Sequence, residues 1–96
     1  MKGIDVSEWN GDIDWRAVRN AGMNFAVCRS SYGLKHFDIT FQRNVEGAHR
    51  AGLFCGAYHY SYALTPADAV AEARYCKWVI ENSGVLLELP VFFDME

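Results

Sequence analysis

Three glycines recur at nearly equal intervals, and each separates a candidate helix from a candidate strand. Gly22, Gly52 and Gly84 lie 30 and 32 residues apart, in the segments RNAGMNF, HRAGLFC and ENSGVLL. A glycine that follows a helix commonly adopts the left-handed conformation that ends it. An interval of this length accommodates one strand and one crossover helix. The spacing therefore predicts a chain built from repeated strand–helix units.

The segments that precede these glycines predict three helices, at about 15–21, 41–51 and 66–82. The third helix has the clearest start, because Pro66 fits the first helical position, where its missing N–H costs nothing. A side chain suited to capping stands before each helix. These candidate caps are Asp14, then Thr40 or Asp38, and finally Thr65.

The remaining apolar segments predict four strands, at 3–7, 25–31, 56–63 and 90–96. Two of them contain the continuous apolar runs FAVC and VFF, which are typical of parallel strands covered on both faces. The predicted order is therefore β-α-β-α-β-α-β, with right-handed crossovers placing the helices on one side of the sheet. This order fits an α/β protein that is either half of an eight-stranded barrel or a small open sheet.

Polar residues follow the apolar part of each predicted strand. The carboxyl ends of parallel strands meet at one edge of a sheet, where binding and catalysis gather. Asp94 and Glu96 are two residues apart, so they face the same side of a strand, about 6.6 Å apart along it. Two carboxyl groups near this separation suit hydrolysis of a glycosidic bond, with one protonating the leaving oxygen and the other acting at the anomeric carbon. The other polar groups are Asp5, Ser7, Glu8, Arg29, Ser30, Ser31, Tyr32, His59, Tyr60 and Tyr62.

Each of these features also has an ordinary structural interpretation. An Asp-x-Glu pair is common, and no third residue at ligand spacing supports a metal bound by it. Arg29 can be the buried ion-pair partner of an acid, and His59 fits a hydrogen-bonded core residue better than a catalytic base. The tyrosines at 58, 60 and 62, together with Trp9 and Trp15, can fill the interior of a barrel.

Composition excludes several classes of partner. The chain has 51% hydrophobic residues and a net charge of −3, with no basic cluster, so neither nucleic acid nor an anionic membrane surface is an expected partner. No apolar run is long enough to span a bilayer, and Met1-Lys2 leads into GIDVS without a signal-peptide core. Three cysteines without C-x-x-C spacing predict buried free thiols, although one pair can still form a bridge.

Four blocks of this sequence, taken in order, resemble glycoside hydrolase family 25, the Chalaropsis-type lysozymes. The blocks are GIDVSEWNG (3–11), FAVCRSSYG (25–33), AGLFCGAYHYSYA (51–63) with AVAEA after it, and LPVFFDME (89–96). The resemblance spans almost the whole chain. It implies an irregular TIM-like β/α barrel and a muramidase that needs no cofactor and no metal. Such enzymes cleave the β-1,4 bond between N-acetylmuramic acid and N-acetylglucosamine in peptidoglycan.

The resemblance also implies roles for individual residues. Glu96 would be the general acid/base, and Asp94 would be either the nucleophile or the group that stabilises an oxazolinium-like intermediate. Asp5 would be a supporting third carboxylate. Tyr60 and Tyr62 would bind sugar by stacking, and Arg29 is a further candidate for substrate binding. Peptidoglycan glycan strands would be the partner, in an extracellular or cell-wall setting reached by secretion or phage release.

Members of the family have a catalytic domain of about twice this length. Residues 1–96 are therefore expected to be the N-terminal half of such a domain, ending at its catalytic motif. Half a barrel would leave sheet edges unpaired, which predicts self-association and little or no activity for the chain by itself. The alternatives are a non-catalytic carbohydrate-binding module and a folding fragment with no function of its own.

Overall fold

The computed structural model describes residues 1–95, and the predicted acid Glu96 lies outside the described residues. Strands and helices alternate along the chain as predicted, with two short additions, a 3-10 turn at Glu8–Asn10 and the strand β3. The elements are β1 (Gly3–Val6), α1 (Trp15–Asn20), β2 (Phe25–Tyr32), β3 (His36–Phe37), α2 (Phe41–Arg50), β4 (Phe54–Ser61), α3 (Pro66–Ser83) and β5 (Val91–Met95).

The main strands form one parallel sheet in the order β1-β2-β4-β5, and β3 adds a short antiparallel pair to the end of β2. Each main strand lies beside the next one in sequence. A doubly wound open sheet would reverse this order at a switch point, whereas a barrel keeps it. The fold is therefore of the α/β class, and the order of its parallel strands is that of an arc of a β/α barrel.

The two faces of the sheet differ in what covers them. Ala26 and Cys28 of β2 and Cys55 and Ala57 of β4 are fully buried against the helices. The core continues into α2, where Val45 and its neighbours pack on these small side chains. Side chains alternate between the faces of a strand, so the residues next to these in sequence face the opposite side. That opposite side contains a cavity and is called the concave face.

Local sequence signals place the helix ends. Asp14 accepts a hydrogen bond from the Ala17 amide (3.1 Å), and Thr65 accepts one from the Asp68 amide (3.1 Å), as predicted. At α2 the N-cap position is Thr40, but the side chain that bonds there is Asp38, which accepts from the Thr40 amide (2.8 Å). The glycines that follow the helices have φ values of 92°, 85° and 71°, which confirms the left-handed conformation predicted for them. Within residues 1–95, no helix combines the length and hydrophobicity that crossing a membrane requires.

The outer strands of the sheet have exposed surfaces. Among the described strands, β1 and β5 each pair with a single neighbour. Val91, Phe92 and Phe93 of β5 remain 38–49% exposed. These exposed edges agree with the sequence-based expectation of unpaired sheet edges.

The three cysteines are buried and unpaired, which confirms the prediction of free thiols. They lie on the helix-covered side of the sheet or on α3, where a disulfide is absent among the described residues. Burial, together with the nearby Cys55, raises the pKa of the Cys28 thiol well above its ordinary value. The thiol of Cys28 is therefore an inert, neutral part of the core.

Candidate active site

A cavity of about 680 Å³ opens on the concave face, at the carboxyl ends of the strands. The lining contains five of the six residues predicted for the site, and the sixth, Glu96, lies outside the described residues. The lining residues that carry the argument are Asp5, Trp9, Arg29, Tyr60, Tyr62 and Asp94.

Strand register explains why these side chains meet. Tyr60 pairs with Asp94 across β4 and β5, and Tyr58 pairs with Arg29 across β4 and β2, so all four share the concave face. Asp5 pairs with Val27, two residues before Arg29 on the same face of β2. Both carboxylates are exposed to the cavity rather than buried in the core. Parallel pairing over four strands thus brings two of the three predicted acids to one opening.

Arg29 is held in the cavity wall by two acids. Its Nε donates to Asp38 Oδ2 (3.0 Å), and its second guanidinium arm donates to Glu8 Oε1 (3.1 Å). Its side chain is 8% exposed, and its charge lies 4.4 Å from the centre of the Tyr32 ring. The interpretation of Arg29 as a buried ion-pair partner is therefore the one the contacts support most directly. Its binding of substrate stays a prediction.

Asp38 was considered from the sequence only as a helix cap, and its larger role was missed. The carboxylate is fully buried and accepts from Arg29, from the Glu8 amide (2.9 Å) and from the Thr40 amide (2.8 Å). It thus ties the loop after β1 to the wall formed by β2. The local sequence FDIT does not indicate that Asp38 pairs with Arg29, which lies nine residues earlier on β2.

Trp9 lines the cavity, although the sequence analysis did not list it as a site residue. Filling of a barrel interior was one possibility for it, whereas the residue is 84% exposed at the mouth of the cavity. Ser7 caps the turn that carries it by accepting from the Trp9 amide (3.3 Å), and Asn10 bonds back to Ser7 (2.8 Å). A local capping box therefore presents a large aromatic ring to solvent beside the two acids.

Tyrosines form a second aromatic surface across the opening. The rings of Tyr60 and Tyr62 meet edge to face, with centroids 5.1 Å apart and an interplanar angle of 62°. β4 begins and ends two residues earlier than predicted, so Tyr62 lies just after the strand and its side chain is 62% exposed. Burial raises the pKa of the neighbouring Tyr58, which therefore remains a neutral hydroxyl in the cavity wall. These rings suit stacking against the apolar faces of sugars.

Behind the cavity, a buried hydrogen-bonded chain supports β4. His59 Nδ1 lies 2.7 Å from Ser31 Oγ, and His59 Nε2 lies 2.7 Å from Glu72 Oε1 on α3. The same Glu72 oxygen accepts from the Tyr62 amide (3.3 Å), and the His59 ring stacks on Phe93 at 5.0 Å. His59 is therefore a hydrogen-bonded core residue, the interpretation favoured from the sequence. It does not face the cavity, although it was grouped with the polar residues at the strand ends.

Ser30 and Ser31 also face away from the cavity. Ser30 does so by alternation with Arg29, and Ser31 does so because the register of β2 shifts between Arg29 and Ser31. Simple alternation would place Ser31 on the concave side with Arg29. The irregularity turns it toward His59, while the Ser30 hydroxyl bonds to Tyr58 O (3.1 Å). Both serines are fully buried, so neither is a nucleophile open to substrate.

Parallel strands with acids and aromatic rings at their carboxyl ends, in the order β1-β2-β4-β5, give this molecule the α/β architecture of part of a β/α barrel. The model of glycosyl hydrolases family 25 matches residues 4–96. The chain belongs to this family, as the resemblance of its four sequence blocks indicated.

Individual relatives agree with the family match. Lysozyme M1 of Streptomyces globisporus is 43% identical over 75 residues, which cover 78% of this chain and 25% of that protein. The autolytic lysozyme of Clostridium acetobutylicum is 34% identical over 96 residues, covering 100% of this chain and 28% of that protein. The modular autolysin LytC from Streptococcus pneumoniae, solved in complex with a synthetic peptidoglycan ligand, superposes with a TM-score of 0.85 at 29% identity, covering 98% of this chain and 22% of that one. The chain thus spans about a quarter of the length of these relatives.

Proposed function

We propose that this chain forms part of a muramidase, a peptidoglycan hydrolase that cleaves the β-1,4 bond between N-acetylmuramic acid and N-acetylglucosamine. The observation that carries the proposal is the placement of Asp5 and Asp94 in one cavity, at the carboxyl ends of parallel strands, beside exposed aromatic rings. Family membership supports it, as do the lysozyme names of the relatives.

The proposed chemistry divides the work between two carboxyl groups. Glu96 protonates the leaving oxygen and then activates water, while Asp94 stays charged next to the anomeric carbon. Asp94 acts there either as the nucleophile or as the group that stabilises an oxazolinium-like intermediate. Asp5, on the far side of the cavity, supports the positive charge that develops on the sugar. No cofactor and no metal enter this mechanism.

Substrate binding is assigned to the aromatic rings. Tyr60 and Tyr62 on one side and Trp9 on the other offer flat apolar surfaces to successive sugars of a glycan strand. Arg29, whose position is determined by its two acidic partners, lines the wall between them. It is a further candidate for hydrogen bonding to the substrate in this proposal.

Residues 1–96 are proposed to be the N-terminal part of a barrel-shaped catalytic domain, working on the bacterial cell wall after secretion or phage release. The exposed apolar residues of β5 support this assignment, because they suit a further strand.

The isolated chain is expected to have little or no lytic activity and to self-associate through the exposed edge of β5. Light scattering at rising concentration should show a mass above that of one chain, and a strict monomer would contradict the self-association.

A chimera tests the activity. In it, residues 1–96 replace the segment of the Clostridium acetobutylicum autolytic lysozyme that they match. The chimera should release reducing ends from purified peptidoglycan, and mass spectrometry of borohydride-reduced products should identify them as N-acetylmuramic acid. Asp94→Asn and Glu96→Gln should each lower kcat by about 10²–10⁴-fold.

Asp12→Asn serves as the control, since Asp12 is a 94% exposed carboxylate outside the cavity, and it should leave kcat unchanged. If folded Asp94→Asn and Glu96→Gln chimeras keep full activity, the assignment of these acids is wrong. Peptidoglycan binding without hydrolysis in the parent chimera would instead favour a carbohydrate-binding module. A folded chimera that neither binds nor cleaves would leave only the folding-fragment alternative.

A further inference from the structure

A second cluster of reactive side chains lies at the opposite end of the sheet from the cavity. His49 is near the end of α2, Cys55 is the second residue of β4, and Glu88 lies in the loop before β5. One ligand atom from each of these residues lies within 4.8 Å of the others. Three separate elements thus bring an imidazole, a thiol and a carboxylate together, and the proposed muramidase chemistry uses none of them.

We propose that His49, Cys55 and Glu88 form a binding site for a thiophilic divalent cation of the Zn²⁺ class. Imidazole nitrogen, thiolate sulfur and carboxylate oxygen are the ligands Zn²⁺ prefers, at about 2.0–2.3 Å from the metal. Tetrahedral geometry with these bond lengths separates the ligand atoms by roughly 3.3–3.8 Å. His49 Nε2 and Glu88 Oε1 are 2.9 Å apart, so these two atoms must move slightly apart when a metal binds. Cys55 Sγ must move toward them by up to about 1 Å.

The contacts that already surround Glu88 are compatible with a metal. Glu88 Oε1 accepts from the Cys55 amide (2.8 Å) and faces His49 Nε2. Each carboxylate oxygen has two lone pairs, so Oε1 can keep the amide bond while it also binds the ion. The amide bond would then fix the orientation of the ligand, as outer hydrogen bonds do in known metal sites.

The burial of the three side chains determines how an ion reaches the site and which ions it favours. The His49 and Glu88 side chains are 31% and 33% exposed, which leaves a path from solvent and room for a water as fourth ligand. The Cys55 thiol is buried beneath them and donates to the Val45 carbonyl (3.7 Å). Binding must displace the thiol proton, which favours Zn²⁺ over Mg²⁺ or Ca²⁺, since these prefer oxygen ligands. The bound ion would connect α2, β4 and the loop before β5, far from the sugar-cleaving acids.

Cobalt(II) is the probe for this site, because tetrahedral thiolate coordination has a distinct spectrum. Addition of Co²⁺ to the reduced chain should give intense visible d–d bands and a sulfur-to-metal charge-transfer band in the near ultraviolet, saturating at one ion per chain. Zn²⁺ should bleach both signals by competition, and it should raise the Tm in a concentration-dependent way. Mg²⁺ should do neither.

Variants separate this site from other cysteines and histidines. Cys55→Ser should abolish the charge-transfer band, and His49→Gln should weaken Co²⁺ binding by more than about 100-fold, beyond the usual effect of losing an outer hydrogen bond. Cys28→Ser is the matched control, because Cys28 is an equally buried thiol on the same side of the sheet, and it should bind Co²⁺ like the parent. His36→Gln, at an exposed histidine of β3, controls for surface binding.

Glu88→Gln gives an independent test should Cys55→Ser fail to fold, since the amide oxygen can still accept from the Cys55 backbone. It should fold and bind Co²⁺ at least tenfold more weakly. A Co²⁺ spectrum without charge transfer in the parent chain would overturn the proposal. Unchanged Co²⁺ binding in either His49→Gln or Glu88→Gln would also overturn it, because the ion would then lie elsewhere.

Discussion

His59 and Glu72 form a buried pair whose Nε2 and Oε1 atoms lie 2.7 Å apart, with side chains 0% and 2% exposed. The pair joins β4 to α3, and the Ser31 hydroxyl on β2 completes it on the other side of the imidazole. Glu72 also holds the Tyr62 amide, so the pair connects the core to an aromatic ring of the proposed sugar site. A carboxyl group at such depth is tolerated only because it is paired and hydrogen-bonded.

We expect removal of this carboxylate to be costly. Glu72→Ala leaves the imidazole without its partner in the core, and loss of one member of a buried pair typically costs about 3–5 kcal/mol. Urea unfolding followed by circular dichroism measures the change. Glu81→Ala, at an exposed glutamate on the same helix, should change stability by less than about 0.5 kcal/mol. Equal effects of the two variants would contradict the role assigned to the pair.

The same pair predicts how stability depends on pH. Burial alone would lower the pKa of His59, but its polar interactions with the nearby Cys76 thiol and with the Glu72 carboxylate outweigh burial, so the pKa lies above its ordinary value of 6.5. The folded state therefore holds the proton more tightly than the unfolded state. The stabilisation that protonated His59 contributes is complete below about pH 6.5, and it is lost as the pH rises through the folded-state pKa of His59.

Thermal unfolding of the parent chain should therefore show a falling Tm from about pH 6 to 8, and His59→Gln should flatten this slope. His36→Gln should keep the parent slope, because His36 is exposed on β3. A His59→Gln slope equal to that of the parent would show that another group controls the dependence.

Asp38 is expected to stabilise the folded state and to fix the position of Arg29 in the cavity wall. Asp38→Asn removes the charge that faces Arg29 Nε at 3.0 Å in a fully buried position, and we expect a loss of about 3–5 kcal/mol. Asp12→Asn breaks the exposed pair with Arg43 (2.9 Å) and should cost less than about 1 kcal/mol. The denaturant midpoints of the two variants, compared at equal m-values, measure the difference in their stability. Similar midpoints would mean that Asp38 is not a structural anchor.

Trp9 is predicted to bind saccharide without contributing to folding. Trp9→Ala removes a ring that is 84% exposed, so the Tm should change little, while affinity for soluble glycan fragments should fall about fivefold, or about 1 kcal/mol. Trp78→Ala is the matched control, since Trp78 is 56% exposed on α3 and outside the cavity. This prediction rests on the proposed function. A glycan affinity that is unaffected by Trp9→Ala would remove that residue from the binding surface.

Features governed by neighbours along the chain were predictable. The caps at Asp14 and Thr65 bond to amides three residues ahead, and the glycines after the helices adopt the left-handed conformation their position requires. The alternation of Tyr58 and Tyr60 with His59 follows from strand geometry alone. For the same reason, the convergence of Asp5 and Asp94 could be predicted once the strands were taken as parallel.

Features governed by distant partners were not predictable from the same patterns. Glu72 stands in a helix whose polar residues are mostly exposed, and its burial depends on meeting His59 from another element. The register shift in β2 turns Ser31 from the expected concave side toward that histidine.

By itself, then, the sequence determined the order of strands and helices, their caps, the parallel class of the sheet and the family, because these depend on short-range geometry and on patterns of residue type. Only the tertiary structure decided which acids pair with Arg29, which polar groups are buried behind the sheet, and that Trp9 faces solvent at the cavity. Those outcomes depend on which distant side chains compete for the same polar partner. Once the core excludes water, a polar group without a partner is costly, so only one arrangement is favourable.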